Sequence, residues 1–453
     1  MSKILIGLLV LSVMVFIHEA GHFILAKLCG VVVQSFSIGW GPVLLRKKIG
    51  ETEYRLSLIP IGGYCGMKGE DAFRTAVEQK LTHMPSEDGG LYNASPFKRI
   101  LIAFAGPFAN YASAILCFAI ISSLGGSYYT PSNKIIPVHL YEKNISTAAK
   151  EAELQIGDVI LEIEGKKIST FRDIMQAIIA CADTPLLFKI EREGQIITKT
   201  ITPLLNKQSG VGVIGVYPYV PLKVESVAHH SILQEAGITK GDIITKIDGK
   251  AIAHTIDLQK ELRSLATSQK EEFSLELLRG SKIVNANIHI VRLDNGSLDF
   301  PITFESIEVV EKGTGFWKSI ISGFAQTHET IKLTFRGFAM LFKGVELKNA
   351  VSGPLRITHM IGDVAQEGFK VSAQEGWRGL LYFVSIISIS LFIMNLLPIP
   401  VLDGGLILLS FIEAIIRREI PPIITYRVQF VGFAFIACLF VCAFLADIFF
   451  LIG

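Results

Sequence analysis

Charge is what this sequence has little of. Asp, Glu, Lys and Arg make up 19% of its 453 residues, against about a quarter in ordinary soluble domains. The shortage concentrates in apolar stretches near residues 4–26, 100–124, 380–416 and 428–453. Each reaches or exceeds the ~20 residues that cross a hydrocarbon layer. The chain therefore reads as an α-helical polytopic membrane protein, with buried core helices of a large soluble protein as the alternative. Net charge is only +2 and no basic surface interleaved with aromatics is present, so no nucleic-acid partner is expected. Paired cysteine is missing too. The six cysteines (29, 65, 117, 181, 438, 442) include no Cys-x-x-Cys, and Cys181 is alone in the large soluble region, which excludes a disulfide within it. The first apolar run lacks a small-residue cleavage site, and Ala26-Lys27-Leu28 before Cys29 is no lipoprotein box. That run is read as a retained helix.

Basic residues supply a topology. Lys27, Arg46, Lys47, Lys48, Arg55, Lys98 and Arg99 lie between the first two runs, and Arg417, Arg418 and Arg427 precede the last. Both loops should be cytoplasmic, which puts both termini and the region from about 125 to 375 on the other side. Within the first loop, Phe36-Ser37-Ile38, Val43-Leu44-Leu45 and Tyr54 to Leu58 read as strands, with turns at Gly39, Gly41, Pro42 and Gly50. Such a hairpin either folds back into the bilayer, packed on protein or lining a cavity, or stays in the cytoplasm.

The large soluble region repeats itself. Leu154 to Ile168 aligns without gaps to Ile238 to Ile252, each with a Gly-Asp turn, an alternating strand and an acidic-Gly turn. Helical patterns follow at Phe171 to Ala182 and Thr255 to Leu265. The paired signature resembles PDZ domains, which bind extended peptides at a sheet edge; two spacer modules are the alternative. Residues 316–349 mix Phe316, Trp317, Ile320, Phe324 and Phe335 with Lys318, Lys332 and Arg336. That suits amphipathic helices at a membrane surface, or a helix packed on the other domains.

One cluster carries chemistry. In His18-Glu19-Ala20-Gly21-His22 two imidazoles four residues apart share a helix face and can meet one ion. The glutamate between them is placed to act on a metal-bound water. Ionisable residues inside a span are costly, on the order of 2.5–3.5 kcal/mol for a central charge, which favours function over structure. A catalytic zinc site commonly takes a third protein ligand, often a carboxylate. Asp403 offers one, in Asn395-Leu-Leu-Pro-Ile-Pro-Val-Leu-Asp-Gly-Gly405. The run around it is too long for one straight span, and Pro398, Pro400, Gly404 and Gly405 break it where backbone must line a cavity. A helix-capping aspartate is the alternative.

With these residues the chain resembles the bacterial site-2 proteases, the intramembrane zinc metalloproteases. Gly106-Pro107-Phe108-Ala109-Asn110, Gly62-Gly63-Tyr64 and Ser352-Gly353-Pro354 also fit. The order of parts is that of the regulator-of-sigma-E type, with two PDZ domains between the second and third spans. The resemblance runs over essentially the whole chain. It implies zinc held by His18, His22 and Asp403, Glu19 as general base, and Asn395 with the Pro398/Pro400 break holding an unwound substrate. It also implies a membrane-reentrant hairpin around 36–64, a bacterial inner-membrane location, and single-span membrane substrates such as anti-sigma factors or remnant signal peptides.

The expected layout is a first span over 1–26, a cytoplasmic or reentrant β region over 27–97, and a second span over 98–125. PDZ domains follow over 130–220 and 221–310, then surface helices over 316–375, a broken third span over 376–416 and a fourth over 427–453. Two rival functions are a metal transporter, since spans with His and Asp also mark ion paths, and a catalytically silent adaptor acting through its PDZ modules.

Overall fold

The computed structural model describes residues 2–142, 146–207, 209–293, 296–341 and 353–452. Ser352 of the expected Ser-Gly-Pro motif, and residues 342–352 of the expected surface-helix region, lie outside the described residues. The described parts of 1–126, 311–339 and 346–453 form one compact unit, and those of 127–310 and 340–345 form a second.

The first unit is built on long apolar helices. α1 (Ser2–Leu28), α3 (Pro96–Leu124) and two later helices are long and apolar enough to cross a membrane. The later pair is α8 (Ala373–Asn395) and α10 (Pro422–Ile452). α3 starts where Ser95 accepts from the Lys98 amide and Pro96 fills the first turn, a position that tolerates a missing N–H. α8 starts with the Ser372 hydroxyl on the Glu375 amide, 3.1 Å away. It stops at Asn395, and after Leu396 to Leu402 the chain resumes as α9 (Asp403–Ile416). Pro398 and Pro400 cannot supply helical N–H groups. Gly404 and Gly405 let the new helix start tight against the break, because a Cβ on either would collide with backbone at Leu396, Leu397, Ile399 or Pro400.

Packing fixes these helices to one another. Ala114 and Phe118 of α3 meet Ile389 and Ile393 of α8 in one buried cluster. Arg99 of α3 and Glu413 of α9, both buried, pair at 2.5 Å, and Glu413 also accepts from the Ile420 amide at 2.8 Å. α6 (Phe316–Leu341) lays Gly323 against the Ile115 carbonyl of α3 while Phe316, Trp317, Ile321 and Phe324 stay exposed. α7 (Pro354–Val371) departs from the surface-helix expectation. Its Ile361 and Ala365 are fully buried against α1 and α8. Small residues permit this, since a Cβ on Gly7 or Gly362 would collide with Thr358 or Lys3 across the α1–α7 contact. The buried Asp447 of α10 accepts from the Gly353, Leu355 and Arg356 amides at 2.9, 2.9 and 3.3 Å, neutralising the N-terminal donors of α7.

Between α1 and α3 stand β1 (Val33–Ile49) and β2 (Thr52–Met67), where three short strands were expected. Gly39 and Gly41, at φ +83° and +87°, are bends inside one long strand rather than turns between strands. Residues 35–38 consequently pair with 63–66 on one side and 53–56 on the other, while 43–49 pairs with 52–57. Bulges of this kind let a strand bend without ending. The outer arm exposes Trp40, Val43, Leu44, Leu45, Leu56 and Leu58. A short helix, α2 (Glu70–Glu78), follows.

The second unit holds two four-stranded antiparallel sheets of matching order. The first contains β3 (Val159–Ile163), β4 (Lys166–Lys167), β5 (Leu186–Arg192) and β6 (Gln195–Ile201), ordered β4-β3-β5-β6. The second contains β7 (Ile243–Ile247), β8 (Lys250–Ala251), β9 (Glu272–Arg279) and β10 (Lys282–His289), ordered β8-β7-β9-β10. Each is covered by a helix, α4 (Phe171–Ile178) or α5 (Thr255–Ala266). Phe188 and Ile190 alternate into one core and Leu275 and Leu277 into the other, and a register shift in β3 and in β7 brings Ile160 with Ile163, and Ile244 with Ile247, to the same faces. Truncating Phe188 to Ala would cost about 3–5 kcal/mol.

The Gly-Asp turn of each repeat has a structural cause. Gly157 and Gly241 sit at φ +94° and +90°, and the next residue is a buried aspartate clamped by an arginine. Arg192 meets both oxygens of Asp158 at 2.7 Å. Arg279 meets both oxygens of Asp242 at 2.8 Å. Each arginine also reaches a backbone carbonyl, Glu153 or Gly237.

Candidate active site

Helical spacing places the first two residues of the cluster. His18 and His22 lie one turn apart on α1, both buried, with their Nε2 atoms 3.2 Å apart. Asp403 arrives from the far end of the sequence as the first residue of α9. Its Oδ2 is 3.2 Å from His18 Nε2 and its Oδ1 is 3.3 Å from His22 Nε2. Leu402, the residue before it, has no side chain that could cap the helix, and the Asp403 carboxylate faces both histidines.

These three side chains fit a metal ion. Tetrahedral zinc with bonds of about 2.0–2.1 Å keeps its ligand atoms about 3.3 Å apart; here the two Nε2 atoms are 3.2 Å apart, and each lies 3.2 or 3.3 Å from a different oxygen of Asp403. All offered ligand atoms lie within 4.8 Å of one another. Bare lone pairs at such distances repel unless a cation or proton sits among them.

Neighbours hold the imidazoles. His22 Nδ1 is 2.8 Å from the Ile102 carbonyl of α3, and His18 Nδ1 is 3.1 Å from the Asn110 side-chain amide. Gly106 matters by having no side chain, because a Cβ there would collide with the His22 ring. Gly21 plays the same part on α1, opposite the Ala105 carbonyl. Glu19 is half-buried beside the cluster and accepts a backbone hydrogen bond from Cys65 of β2. Gly63 of β2 lies beside Glu19 and, lacking a Cβ, fits against the Ser37 carbonyl of β1. The bent strand thus forms one wall of the site.

A cavity of about 320 Å³ opens here, lined by His18, Glu19, His22, Cys65, Asn395 and Asp403 among others. Of the residues singled out in the sequence, the structure gathers His18, Glu19, His22, Asp403 and Asn395 around one space. Pro398 and Pro400 are not in its lining. Pro398 is exposed, and Pro400 packs against Gly432 of α10. Asn110, Ile102, Gly106 and Cys65 had no assigned part in the sequence reading. The Gly106 to Asn110 segment stands out as a motif, yet spacing alone does not aim it at the histidines.

Comparison with known proteins bears on the chemistry. The description "Peptidase family M50" matches residues 6–439. A Treponema pallidum protein named "Putative zinc metalloprotease" is 47% identical over 100% of both chains. A Borreliella burgdorferi protein of the same name is 31% identical over 90% of both. The Escherichia coli "Regulator of sigma-E protease RseP" is 29% identical over 89% of both. Among solved structures, the PDZ domain of an SdrC-like protein from Listeria monocytogenes covers 19% of this chain and 90% of its own. It is 22% identical with a TM-score of 0.17, too slight a likeness to bear on the fold. The matched family spans nearly the whole sequence, including both helices that bring His18, His22 and Asp403 together, and so this chain belongs to peptidase family M50, the site-2 protease family, and is a zinc metalloendopeptidase.

Proposed function

We propose that the protein cleaves single-span membrane proteins within the bilayer, using zinc held by His18, His22 and Asp403 and a proton carried by Glu19. The observation that carries this reading is the meeting of three ligand atoms and one further carboxylate at a single cavity. Bound zinc supplies Lewis acidity, lowering the pKa of a water toward about 7 and polarising the scissile carbonyl. Glu19 takes one proton from the attacking water and delivers it to the departing amine, so the peptide bond is exchanged for a carboxylate and a free amine. Asn395 lines the same cavity, and its amide can hold a substrate carbonyl.

A substrate helix hides its carbonyls in its own hydrogen bonds, so it must unwind locally before attack. Spans carrying proline or glycine are therefore preferred. The apolar outer arm of the β1–β2 pair enters the bilayer, since Trp40, Leu44, Leu45 and Leu58 are exposed and a patch of that kind is unfavourable in water. The protein sits in a bacterial inner membrane with both termini and residues 127–310 on the periplasmic side. The two sheet modules are tandem PDZ domains that admit substrates already trimmed of a bulky ectodomain. Anti-sigma factors and remnant signal peptides both meet these requirements.

The deciding measurement is cleavage of a single-span reporter by purified wild type and Glu19→Gln. Wild type should cut and lose activity to a zinc chelator. The variant should keep its zinc and cut about 10²–10⁴-fold more slowly. Equal rates would remove Glu19 from the mechanism. Uptake of metal without any proteolysis would favour a transporter. Matched reporters with and without a helix-weakening residue test the preference, and equal cleavage counts against it. The filter fails if deleting residues 130–310 leaves untrimmed substrates uncut by a folded enzyme.

A further inference from the structure

His18 and His22 both aim Nε2 at Asp403, but their Nδ1 atoms meet different chemistry. His22 Nδ1 faces the Ile102 carbonyl at 2.8 Å. A carbonyl accepts and never donates, so Nδ1 carries the ring proton and Nε2 keeps a bare lone pair. His18 Nδ1 faces the Asn110 side-chain nitrogen at 3.1 Å. A carboxamide can donate or accept, depending on which of its two ends is presented.

Asn110 is fully buried in α3, and its Oδ1, equally buried, has no hydrogen-bond partner among the described residues. With the nitrogen toward His18, the amide donates to Nδ1 and the ring proton is left on Nε2. An Nε2 that carries a proton has no lone pair for a metal. A half-turn of the amide brings Oδ1 to the same place, draws the proton to Nδ1, and bares Nε2. The two ends of a carboxamide have nearly the same shape, so the turn needs no repacking.

We infer that Asn110 is a positioning residue for His18, fixing through its amide oxygen the tautomer that binds metal. It does for His18 what the Ile102 carbonyl does for His22. The inference rests on the proposed reading of His18 as a zinc ligand. Unlike a backbone carbonyl, the amide can turn, so the metal-ready state of His18 is set by one side-chain rotation on α3.

The test is zinc affinity of the purified full-length protein, by competition with a chromophoric chelator. Asn110→Asp, which only accepts, should stay within a few-fold of wild type, about the smallest change such competition resolves. Asn110→Leu should bind about 10–100-fold more weakly, the usual loss on removing such a partner. His18→Gln separates the two readings. Wild-type affinity in His18→Gln overturns the ligand assignment and this inference with it. Weak binding by His18→Gln beside wild-type binding by Asn110→Leu overturns the positioning role alone. If Asn110→Leu does not fold, or if both Asn110 variants bind weakly, nitrogen-15 NMR of histidine-labelled, zinc-free wild type decides, because bound zinc would itself force the proton to Nδ1. A protonated Nδ1 on His18 supports the inference, and a bare Nδ1 overturns it.

Discussion

His22 Nε2 lies 3.3 Å from Asp403 Oδ1, although one residue stands near the start of the chain and the other close to its end. α1 and α9 are each held to α3, through the close contact at Gly21 and the Arg99–Glu413 pair. The distance between the two residues is thus a consequence of how both pack on a third helix.

Removing either partner should release the metal. Asp403→Ala and His22→Ala are expected to lose most bound zinc after desalting, because two ligands hold it far less well than three. Metal analysis of the purified variants checks this. Full zinc occupancy in both would sink the ligand assignment.

A methyl group can be as damaging as a lost ligand. Gly106→Ala puts a Cβ into the His22 ring, so the variant should lose zinc and activity while its helix content stays unchanged. Gly337→Ala on α6 meets nothing within 4 Å and should leave both intact, gaining about 0.5–1 kcal/mol from helix propensity. Circular dichroism and metal content read the contrast. Similar behaviour of the two variants would argue against steric control by Gly106.

The arginine clamp should stabilise the second module. Arg279 beside Asp242 holds that carboxyl below the usual carboxylate range. A lowered folded-state value means the contribution is complete above the ordinary value of about 3.9 and is lost as pH falls through the folded one. Arg279→Ala takes two guanidinium hydrogen bonds from a buried carboxylate and should lower the unfolding midpoint. Chemical denaturation at neutral pH measures it, and an unchanged midpoint would show the clamp to be dispensable.

His254 makes the second unit sensitive to mild acid. Burial pushes its imidazole below the ordinary value, outweighing nearby Asp257. Its Nδ1 accepts from the Asp257 amide, its Nε2 meets the Tyr141 hydroxyl at 3.0 Å, and that hydroxyl donates to Asp257 at 2.7 Å. Neutral imidazole suits all of these. Stability from this group is present above about pH 6.5 and is lost as pH falls through the lower folded value. Hydrogen exchange, corrected for intrinsic rate, should show protection of residues 254–258 declining below pH 6.5. His254→Asn, which keeps a cap, should flatten that dependence, and an unaltered profile would assign it elsewhere.

Much of this was legible along the chain. His18 and His22 share a face because a helix repeats every 3.6 residues, and the apolar runs and the Gly-Asp repeat are equally local patterns. Asp403 was conspicuous as an acid between prolines and glycines in an apolar run. Other features have no local sign. Arg192 and Arg279 are ordinary strand residues until the fold sets them over Asp158 and Asp242. α7 carries a strong amphipathic pattern that suits a membrane surface, yet packing at Gly7 and Gly362 sets one of its faces, with Ile361 and Ala365, against other helices while Met360 and Phe369 stay exposed. Gly39 and Gly41 read as turns, because nothing local tells a bend within a strand from its end. Sequence by itself therefore determined which residue types could bind a metal and which stretches could enter a membrane, since both follow from neighbours a few positions apart. Tertiary structure alone decided that the Asp403 carboxylate meets both imidazoles, that Asn110 stands behind His18, and that Pro398 and Pro400 stay outside the cavity lining. Those outcomes depend on helix–helix distances set by many small contacts together, which no single stretch of sequence contains.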